Sequence, residues 1–498
     1  MSLLPADWAY HRVRKLGVPM VLDIHSSQVK PLSDAAYELL PYATGEEDGD
    51  LRERVVTRYG PHAVEAALKE LGALATSGFI TRPDLKLGRR IAAAPTPLKV
   101  MFLHVAHDCN LACRYCFAGQ GSYRARVEYM TPGVAQAAVD LLMRESDEEG
   151  ALIRFFGGEP LLNFDLMRTV VAYAKERARA LGKKLNFSIF TNATVITDEI
   201  ARFLAENNFE ILISLDGPPR TNDRMRVQRN GEPSYHLVIE GVKTLRRYIA
   251  GRHIGCRVVL TPQDLDLVEI VGHILGLGIW KVMFGKVWET GSEPYAFKPV
   301  DVERLKAGFT EIAATYTDSV LRGKFHWLGI NPLGGFIFRQ LEGGNKDVYH
   351  CLAGRKSAAV TPSGDIWPCF HFVGRERFHL GHVTTGINES VRQRFVQNYS
   401  ENRKSCRSCW ARYLCGGGCP ANHLARYGDI TKANPVQCDI DRHVLELSMY
   451  AYARVVREAP HLLERLKVIG HIKEGYYSDK GFVEHLETAF RLPEEAEQ

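Results

Sequence analysis

The sequence predicts an α/β protein whose centre is a parallel sheet. Between residues 99 and 284, apolar strand-like segments alternate with helix-like segments through six strands. Strands and helices that alternate at this length form parallel sheets with right-handed crossovers, as an open sheet or as a partial barrel. The predicted strands are 99–105, 151–156, 186–190, 210–215, 256–261 and 280–284, and the predicted helices are 132–145, 164–182, 197–207, 235–250 and 265–276.

Bulk composition narrows the class of protein. A chain of 498 residues predicts two to four domains, and its hydrophobic content of 45% and charged content of 24% are typical of soluble globular proteins. The net charge of +5, with no basic run interleaved with aromatics, argues against nucleic-acid binding. No apolar run of about 18 residues predicts a membrane span, and the first residues do not resemble a signal peptide. Eleven cysteines in such a chain indicate reduced, metal-binding thiols and a cytoplasmic location.

Residues 1–90 predict a separate, winged-helix-like unit. Segments 21–24 and 28–32 resemble a small hairpin, helices are predicted over 34–41, 51–59 and 62–76, and 78–81 is predicted to be a short strand. DNA binding is the usual role of this shape, but no helix here has the Arg/Lys/Asn face that reads a groove. A free strand edge could instead pair with an extended peptide. Residues 85–98 are typical of a linker.

Three cysteines, Cys109, Cys113 and Cys116, follow the first predicted strand of the sheet in the run C-N-L-A-C-R-Y-C. Three thiolates at this spacing can hold one cubane iron–sulfur cluster, which normally takes four cysteines. Without a local fourth cysteine, one iron stays open to a small molecule. The alternative is a zinc knuckle completed by His104 or His107.

Polar or glycine-rich segments follow the next three strands as well. They are 157–160 (G-G-E-P), 191–194 (T-N-A-T) and 214–218 (S-L-D-G-P). Each segment alone could be a turn, and Asn192 could cap the helix that starts near Thr197. In folds of this class, chemistry collects at the carboxyl ends of the strands, so we expect the four loops to share one mouth.

The C-terminal region carries a second concentration of cysteines. Seven of them lie within 88 positions: Cys351, Cys369, Cys406, Cys409, Cys415, Cys419 and Cys438. Seven thiolates do not divide into two complete tetrahedral zinc sites, but they do divide into four plus three. Cys256, in the fifth strand, is predicted to be a buried core thiol.

Together these motifs resemble the radical S-adenosylmethionine (SAM) enzymes of the SPASM subfamily. The resemblance rests on C-x3-C-x2-C, on Gly-Gly-Glu-Pro and on the seven-cysteine tail, and it covers about residues 95–450. It implies a partial (β/α)6 TIM-like barrel over 95–300, a bridging region over 301–345, a SPASM domain with auxiliary clusters over 346–450 and a helical extension over 451–498. Residues 1–90 resemble, at the level of pattern, the precursor recognition domain of peptide maturases.

The resemblance also implies roles for the residues at the mouth. Cys109, Cys113 and Cys116 would hold the catalytic cluster, whose open iron binds the amino and carboxylate groups of S-adenosylmethionine. The cofactor pocket would be formed by Tyr115 near the adenine, Gly157, Gly158 and Glu159 near the methionyl amino group, Arg226 near the carboxylate, and Asn192 and Ser214 along its wall. Two positions depart from the family pattern: Asn222 stands in place of histidine, and Ala193 in place of glycine.

The resemblance implies three 4Fe–4S clusters in the chain, of which two lie in the C-terminal tail. Cys406, Cys409, Cys415 and Cys438 would fully ligate the second auxiliary cluster. Cys351, Cys369 and Cys419 would hold the first auxiliary cluster with one iron open. Anaerobic sulfatase maturases complete that site with an extra cysteine, which this chain lacks between Cys351 and Cys369. The segment 351–369 is similar to that of the six-cysteine-peptide (SCIFF) maturases of the ranthipeptide group.

The activity implied is thioether formation in a ribosomally synthesised precursor peptide. A flavodoxin or ferredoxin-type donor would reduce the first cluster, and S-adenosylmethionine would yield a 5′-deoxyadenosyl radical that takes a hydrogen from a carbon of the acceptor residue. A precursor cysteine held as a thiolate on the open auxiliary iron would supply sulfur to that carbon. Alternatives are a thioether-forming maturase of the quinohemoprotein amine dehydrogenase small subunit, a carbon–carbon cross-linking maturase, an iron–sulfur electron-transfer protein and a zinc-stabilised peptide-binding scaffold.

Overall fold

A computed structural model describes residues 3–474 apart from 6, 48, 85, 148, 149 and 345. The chain begins with a three-stranded antiparallel sheet followed by helices. The elements of this part are β1 (Tyr10–Lys15), β2 (Val18–Asp23), β3 (Val29–Pro31), α1 (Asp34–Thr44), α2 (Gly49–Tyr59), α3 (Pro61–Thr76) and α4 (Leu87–Ala93). The sheet order is β1-β2-β3, so β1 and β3 are its two edges.

A twelve-stranded mixed sheet organises the rest of the chain. Its N-terminal elements are β4 (Val100–His107), β5 (Glu128–Tyr129), α5 (Pro132–Glu145), β6 (Ala151–Gly157), α6 (Phe164–Ala180), β7 (Leu185–Thr191), α7 (Asp198–Glu206), β8 (Glu210–Ser214), α8 (Pro219–Met225), α9 (Tyr235–Arg246), β9 (Ile254–Leu260), α10 (Leu267–Gly276) and β10 (Lys281–Lys286). Strands β4, β6, β7, β8, β9 and β10 are neighbours in that order and all pair in parallel. The six predicted strands and the parallel sheet are therefore confirmed.

The C-terminal part extends this sheet and adds helices. Its elements are α11 (Pro299–Leu321), β11 (Ile330–Asn331), α12 (Leu333–Leu341), β12 (Ser357–Val360), β13 (Asp365–Trp367), β14 (Gly381–His382), β15 (Gly386–Ile387), α13 (Glu389–Val396), α14 (Lys404–Arg407), α15 (Arg412–Cys415), α16 (Pro420–Tyr427), α17 (Pro435–Glu458) and α18 (Leu462–Glu474). β12 pairs in parallel with β4, which joins the cysteine-rich region directly to the first strand of the parallel sheet.

Buried apolar side chains form one large core around the parallel sheet and smaller cores beside it. The N-terminal sheet is covered on both faces. Val21 packs with Leu39 and Leu71 of the α1–α3 layer, whereas Met20 packs with Met449 of α17. The unit is thereby attached to the body of the protein. Among the described residues, no helix is both long enough and apolar enough to cross a membrane.

Two sequence predictions for residues 1–98 need correction. Residues 85–98, predicted as a linker, contain the helix α4, whose Gly88 N–H donates to Glu401 Oε2 at 2.7 Å. Residues 78–81 do not form a strand; Phe79 is buried among α1–α3 through its side chain alone. The strand that completes the sheet is β1, whose polar sequence Y-H-R-V-R-K gave no apolar signal because side chains on both of its faces pair with charged partners. The predicted extension over 451–498 is helical as far as Glu474; its remainder lies outside the described residues.

Candidate functional site

The three clustered cysteines lie in the loop that follows β4, at the carboxyl end of the sheet. The loop is fixed to the segment after α8, for example by the Ala112 N–H, which donates to the Val227 carbonyl at 2.8 Å. Cys109, Cys113 and Cys116 are partly exposed, and the charges of the other two contribute to the pKa of Cys109. The fold thus presents three neighbouring thiols to one mouth.

Burial makes two of these thiols, Cys109 and Cys113, weaker acids than an ordinary thiol. It raises the pKa of Cys109 to about 12 and the pKa of Cys113 to about 11. Both groups are therefore protonated as free thiols at neutral pH, and binding iron as thiolates releases their protons.

Two glycines let the neighbouring loops approach the cysteine loop. A Cβ atom on Gly121, whose φ is +90°, would lie 2.8 Å from the Cys109 Cβ and 2.8 Å from the Gly158 Cα. A Cβ atom on Gly158 would collide with the Asp108 carbonyl. Only glycine fits at either position. Three thiols beside a side-chain-free cradle fit an iron–sulfur cluster with one open iron.

Glu159 is fully buried, and its carboxylate joins the second loop of the mouth to the third. It accepts hydrogen bonds from the Thr191 hydroxyl at 2.8 Å and from the Asn192 backbone N–H at 2.7 Å. It also accepts from the Leu161 N–H at 3.2 Å. Burial raises the pKa of Glu159 to about 7 despite these donors. Its carboxylate is thus held within the scaffold by donors from the second and third loops.

Asn192 connects the third loop to the cysteine loop. Its side-chain amide donates to Asn110 Oδ1 at 2.9 Å and lies 3.7 Å from the Cys109 sulfur. Its carbonyl oxygen accepts from the Thr194 hydroxyl at 2.6 Å. The next residue, Ala193, is fully buried with φ of +59°, the left-handed region that favours glycine. Alanine therefore adopts the backbone that glycine would adopt at this position.

A buried cluster of Tyr115, Asp216 and Arg226 closes the opposite side of the mouth. Arg226 is paired with Asp216, with 3.0 Å between Nε and Oδ2, and its guanidinium lies 5.3 Å from the centre of the Tyr115 ring. The Tyr115 hydroxyl donates to the same carboxylate. Asn222 completes the group by accepting from the Asp216 N–H at 3.4 Å. The sequence analysis assigned no role to Asp216, because the run Asp-Gly-Pro is typical of an ordinary turn.

Ser214 ends β8 and lies opposite Arg257 of β9 in the sheet register. Arg257 donates to the Phe284 carbonyl at 3.0 Å, and burial lowers its pKa. The thiol of Cys419 is among the groups whose charge acts on Arg257. This part of the mouth therefore faces the C-terminal cysteines.

The seven C-terminal cysteines fall into two neighbourhoods. The thiols of Cys351 and Cys419 act on the pKa of Cys369, which burial raises well above its usual value. The second neighbourhood contains the other four cysteines. The charge of Cys406 affects the pKa of Cys415 and of Cys438, and the charge of Cys409 affects the pKa of Cys406 and of Cys438. These electrostatic influences group Cys351, Cys369 and Cys419 together and the other four cysteines together, and the assignment of one cluster to each group stays a prediction. Cys256 is buried in β9, away from both sets, and donates to the Leu215 carbonyl.

A cluster of packed aromatic rings lies beside the first cysteine loop and Cys369. Tyr123 is buried there, close enough to Cys116 and Cys369 for both to act on its pKa, and its hydroxyl has no hydrogen-bond partner within the described chain. The His107 ring stacks on Tyr123 at 4.5 Å, and its Nε2 lies 3.1 Å from Nδ1 of His104. Sequence analysis did not identify Tyr123. Its φ is +56°, a backbone conformation that tyrosine does not favour, so the residue type gave no signal for this turn.

The C-terminal region contributes His371 to this aromatic cluster. His371 stacks on Trp288 with 4.2 Å between ring centres and contacts Phe117 at 4.3 Å. Nδ1 of His371 is buried without a hydrogen-bond partner in the described part of the chain. Among the described residues, no three His, Cys, Asp or Glu side chains converge closely enough to hold a single metal ion.

Two domain families match the chain. The radical SAM superfamily matches residues 103–273, and the SPASM iron–sulfur cluster-binding domain matches residues 351–410. These ranges contain the first cysteine loop and the first four of the C-terminal cysteines.

Curated relatives and solved structures extend this likeness. The chain is 25% identical over 378 residues to the serine-type anaerobic sulfatase-maturating enzyme of Bacteroides thetaiotaomicron, which covers 67% of this chain and 85% of that protein. It is 23% identical over 366 residues to the radical SAM cyclopropyl synthase TigE of Paramaledivibacter caminithermalis, covering 69% and 72%. The solved structure of native anSMEcpe with bound AdoMet is similar in fold, with a TM-score of 0.62 at 20% identity, covering 74% of this chain and 100% of that chain.

Proposed function

We propose that this chain is a radical SAM enzyme with a SPASM iron–sulfur domain, and that it matures a ribosomally synthesised peptide by joining a cysteine sulfur to a carbon of an acceptor residue. The observation that carries this proposal is the three-cysteine set of Cys351, Cys369 and Cys419. The interval between Cys351 and Cys369 holds no further cysteine, so one iron of a cubane there is left for an outside ligand.

The residues of the mouth are suited to holding S-adenosylmethionine against the first cluster. We assign Cys109, Cys113 and Cys116 to that cluster and the backbone of Gly157 and Gly158, positioned by Glu159, to the methionyl amino group. The remaining pocket residues are Tyr115, Asn192, Ser214 and Arg226. Because the Arg226 guanidinium is already paired with Asp216 at 3.0 Å, a cofactor carboxylate would share it rather than neutralise it alone.

The auxiliary clusters make up the other half of the proposal. We assign Cys406, Cys409, Cys415 and Cys438 to a fully ligated cluster, which gives three 4Fe–4S clusters in the chain. When bound, these groups supply a hydrogen-abstracting radical, an electron acceptor and an iron position for a thiolate. The peptide would approach beside the aromatic cluster, where the Tyr123 hydroxyl and Nδ1 of His371 are buried without hydrogen-bond partners in the described part of the chain and could orient a peptide side chain.

The N-terminal unit would recruit the precursor through a strand edge. β3 is a poor edge because its Val29 N–H already donates to Gln340 Oε1 at 2.8 Å and Pro31 has no N–H. β1 is open: the Ile24 N–H donates to the Ala9 carbonyl, so the antiparallel ladder directs the next outward backbone groups, those of Tyr10, Arg12 and Arg14, away from β2. An extended segment of the precursor can pair with these groups.

Side chains next to the β1 edge form a charged cleft. It is lined by Arg14, Asp34, Glu38, Arg58 and Tyr59. Arg58 pairs with Glu38 at 2.9 Å and Arg14 pairs with Asp34, so the cleft carries both signs of charge. Such a surface suits a polar leader segment rather than an apolar helix.

The test compares two precursors on anaerobically reconstituted protein. A precursor with its donor cysteine is expected to change the electronic spectrum of the first auxiliary cluster, whereas the Cys-to-Ser precursor should bind and leave it largely unaltered. Asp365 is a weak rival ligand because its carboxylate is held by Ser363 at 2.7 Å and by His379 at 2.9 Å. A His371 ring on that iron that stays when the precursor binds would refute thiolate capture.

Sulfatase maturation is a second candidate, favoured by the similarity to the Bacteroides enzyme. The product separates it from thioether formation. A thioether consumes the donor thiol, so the modified peptide resists thiol alkylation and carries a bond between two residues. A single-residue oxidation leaves no cross-link, and a carbon–carbon cross-link leaves the thiol free for alkylation.

A further inference from the structure

We propose that Arg403, which lies between the two auxiliary sites, supplies the positive charge that balances both clusters and raises their reduction potentials. The inference rests on the proposed function only in that it requires the auxiliary clusters to form. Arg403 precedes α14, is 4% exposed, and is one of the few buried cations of the C-terminal region.

Neutral groups hold the guanidinium in place. Nε donates to Asn398 Oδ1 at 2.7 Å, Nη2 donates to the Asn398 carbonyl at 3.3 Å, and Nη1 donates to the Gly417 carbonyl. Nη1 also lies 3.4 Å from the buried ring of His423. No carboxylate in the described part of the chain forms an ion pair with it. A buried cation without a counter-charge is strongly unfavourable, so its partner must come from elsewhere.

Thiolates of both cysteine sets, once bound to iron, would supply that partner. Burial lowers the pKa of Arg403, and the groups that act in the opposite direction are Cys406 and Cys415 of the four-cysteine set and Cys351 and Cys419 of the three-cysteine set. The guanidinium also lies on the turn that joins Cys415 to Cys419: a Cβ on Gly417, whose φ is +93°, would lie 2.9 Å from Nη1. The chain thus brings one cation close to cysteines of both clusters.

The consequence is electrostatic. Each auxiliary cluster gains one electron on reduction, with no bond formed and no proton required, and so becomes more negative by one charge. A fixed cation in a poorly polarisable interior stabilises that added charge and raises the potential of both clusters. The cysteines of the β4 loop are not among the main groups that act on Arg403, so the first cluster should be affected least. Arg403 is therefore a positioning and tuning residue that contacts no substrate.

The experiment is an anaerobic redox titration of the reconstituted full chain, followed by electron paramagnetic resonance without peptide. In Arg403→Gln, the reduction equilibrium of both auxiliary clusters should fall by about tenfold, a shift of about 59 mV for a one-electron couple. Arg403→Lys, which keeps the charge, should retain most of the wild-type potential. Arg407→Gln removes an exposed charge one residue from Cys406 and should change little, since solvent screens it.

Each outcome decides the question. Unchanged auxiliary potentials in Arg403→Gln at normal iron content would overturn the proposal, as would equal shifts in Arg403→Gln and Arg407→Gln. Loss of auxiliary iron in Arg403→Gln with retention in Arg403→Lys would support it, because charge then decides cluster retention. Loss in both variants would assign Arg403 to packing and overturn the tuning role. Because no peptide is used, failure of thioether formation would leave this result unaffected.

Discussion

Asp216 shows how one carboxylate can order the cofactor side of the mouth. It accepts from the Val259 N–H at 2.9 Å and from the Tyr115 hydroxyl, and it pairs with Arg226. Its 2% exposure means that losing any partner leaves a buried charge short of compensation. We expect Asp216→Asn to weaken S-adenosylmethionine binding by releasing both Tyr115 and Arg226.

The measurement is an equilibrium titration of the cofactor against the reconstituted protein. Release of Tyr115 and Arg226 is expected to weaken cofactor binding roughly 10- to 100-fold, because a hydrogen bond to a charged group contributes about 1.5–3 kcal/mol. The matched control is Asp223→Asn, which makes the same substitution in α8, the helix that follows Asp216 in the chain. Equal effects of the two variants would show that the loop, not the carboxylate, orders the site.

Glu159 predicts a pH dependence of stability. Burial raises its pKa from 4.5 to about 7, so the folded chain holds this proton more tightly than the unfolded chain. The free energy of unfolding should therefore be highest below about pH 4.5 with respect to this group and fall as pH rises towards 7. The expected loss is roughly 3 kcal/mol.

Glu159→Gln cannot ionise and should lack this component. The amide also places a donor against one of the backbone donors, which lowers stability by a pH-independent amount. Chemical denaturation of the apoprotein at several values between pH 5 and 8 separates the two effects. An identical pH slope in variant and wild type would contradict the assigned pKa.

Ala193 predicts a gain in stability. Its left-handed backbone disfavours alanine by about 1–2 kcal/mol, and glycine loses about 0.4–1 kcal/mol through the entropy of the unfolded chain. Ala193→Gly should therefore raise the free energy of unfolding by up to about 1 kcal/mol. Ala201→Gly, in the helix α7, is the matched control and should lower it. Denaturant titration measures the free energy of unfolding of both variants. An equal decrease in the two would exclude the strain argument.

At the scale of elements, β1 is where a sequence pattern and a binding role meet. Arg12 directs its N–H outward, so proline there removes a docking donor without breaking a bond to β2. Arg12→Pro should weaken binding of the precursor leader at least tenfold, whereas Arg12→Ala keeps the N–H and should bind nearly as wild type. Both variants lose the side chain, so their difference isolates the backbone.

Leader binding can be followed by fluorescence anisotropy of a labelled peptide, with circular dichroism to verify folding. Equal affinity for Arg12→Pro and Arg12→Ala would show that the edge does not pair with the peptide. S-adenosylmethionine cleavage without peptide should stay largely intact in both.

Element by element, periodicity predicted the parallel sheet well because its strands are buried on both faces and read as apolar runs. The helix over 132–145 agrees with α5 at both ends, since Thr131 caps it and Pro132 starts it. β1 could not be predicted, because its partners Asp34 and Glu446 are remote in sequence. The cysteines are recognisable from their spacing alone. The roles of Tyr123 and Arg403 depend on which loops meet in the fold, so the sequence does not indicate them.

At the scale of the whole molecule, the division of ten cysteines into three groups predicts iron content. Anaerobic reconstitution should give about twelve irons per chain, four for each cubane. Replacing Cys109, Cys113 and Cys116 together by alanine should leave about eight. Cys256→Ala, which removes a core thiol, should leave the content unchanged. A triple variant that retains all its iron would contradict the grouping.

The central claim is that the first cysteine loop makes this chain a radical enzyme. The most direct test incubates the reduced, reconstituted wild type and the triple alanine variant with S-adenosylmethionine and quantifies 5′-deoxyadenosine by chromatography and mass spectrometry. We predict its formation by the wild type and none above background by the variant, while the auxiliary clusters remain. Cleavage retained in the variant, or absent from a wild type carrying all three clusters, would contradict the account.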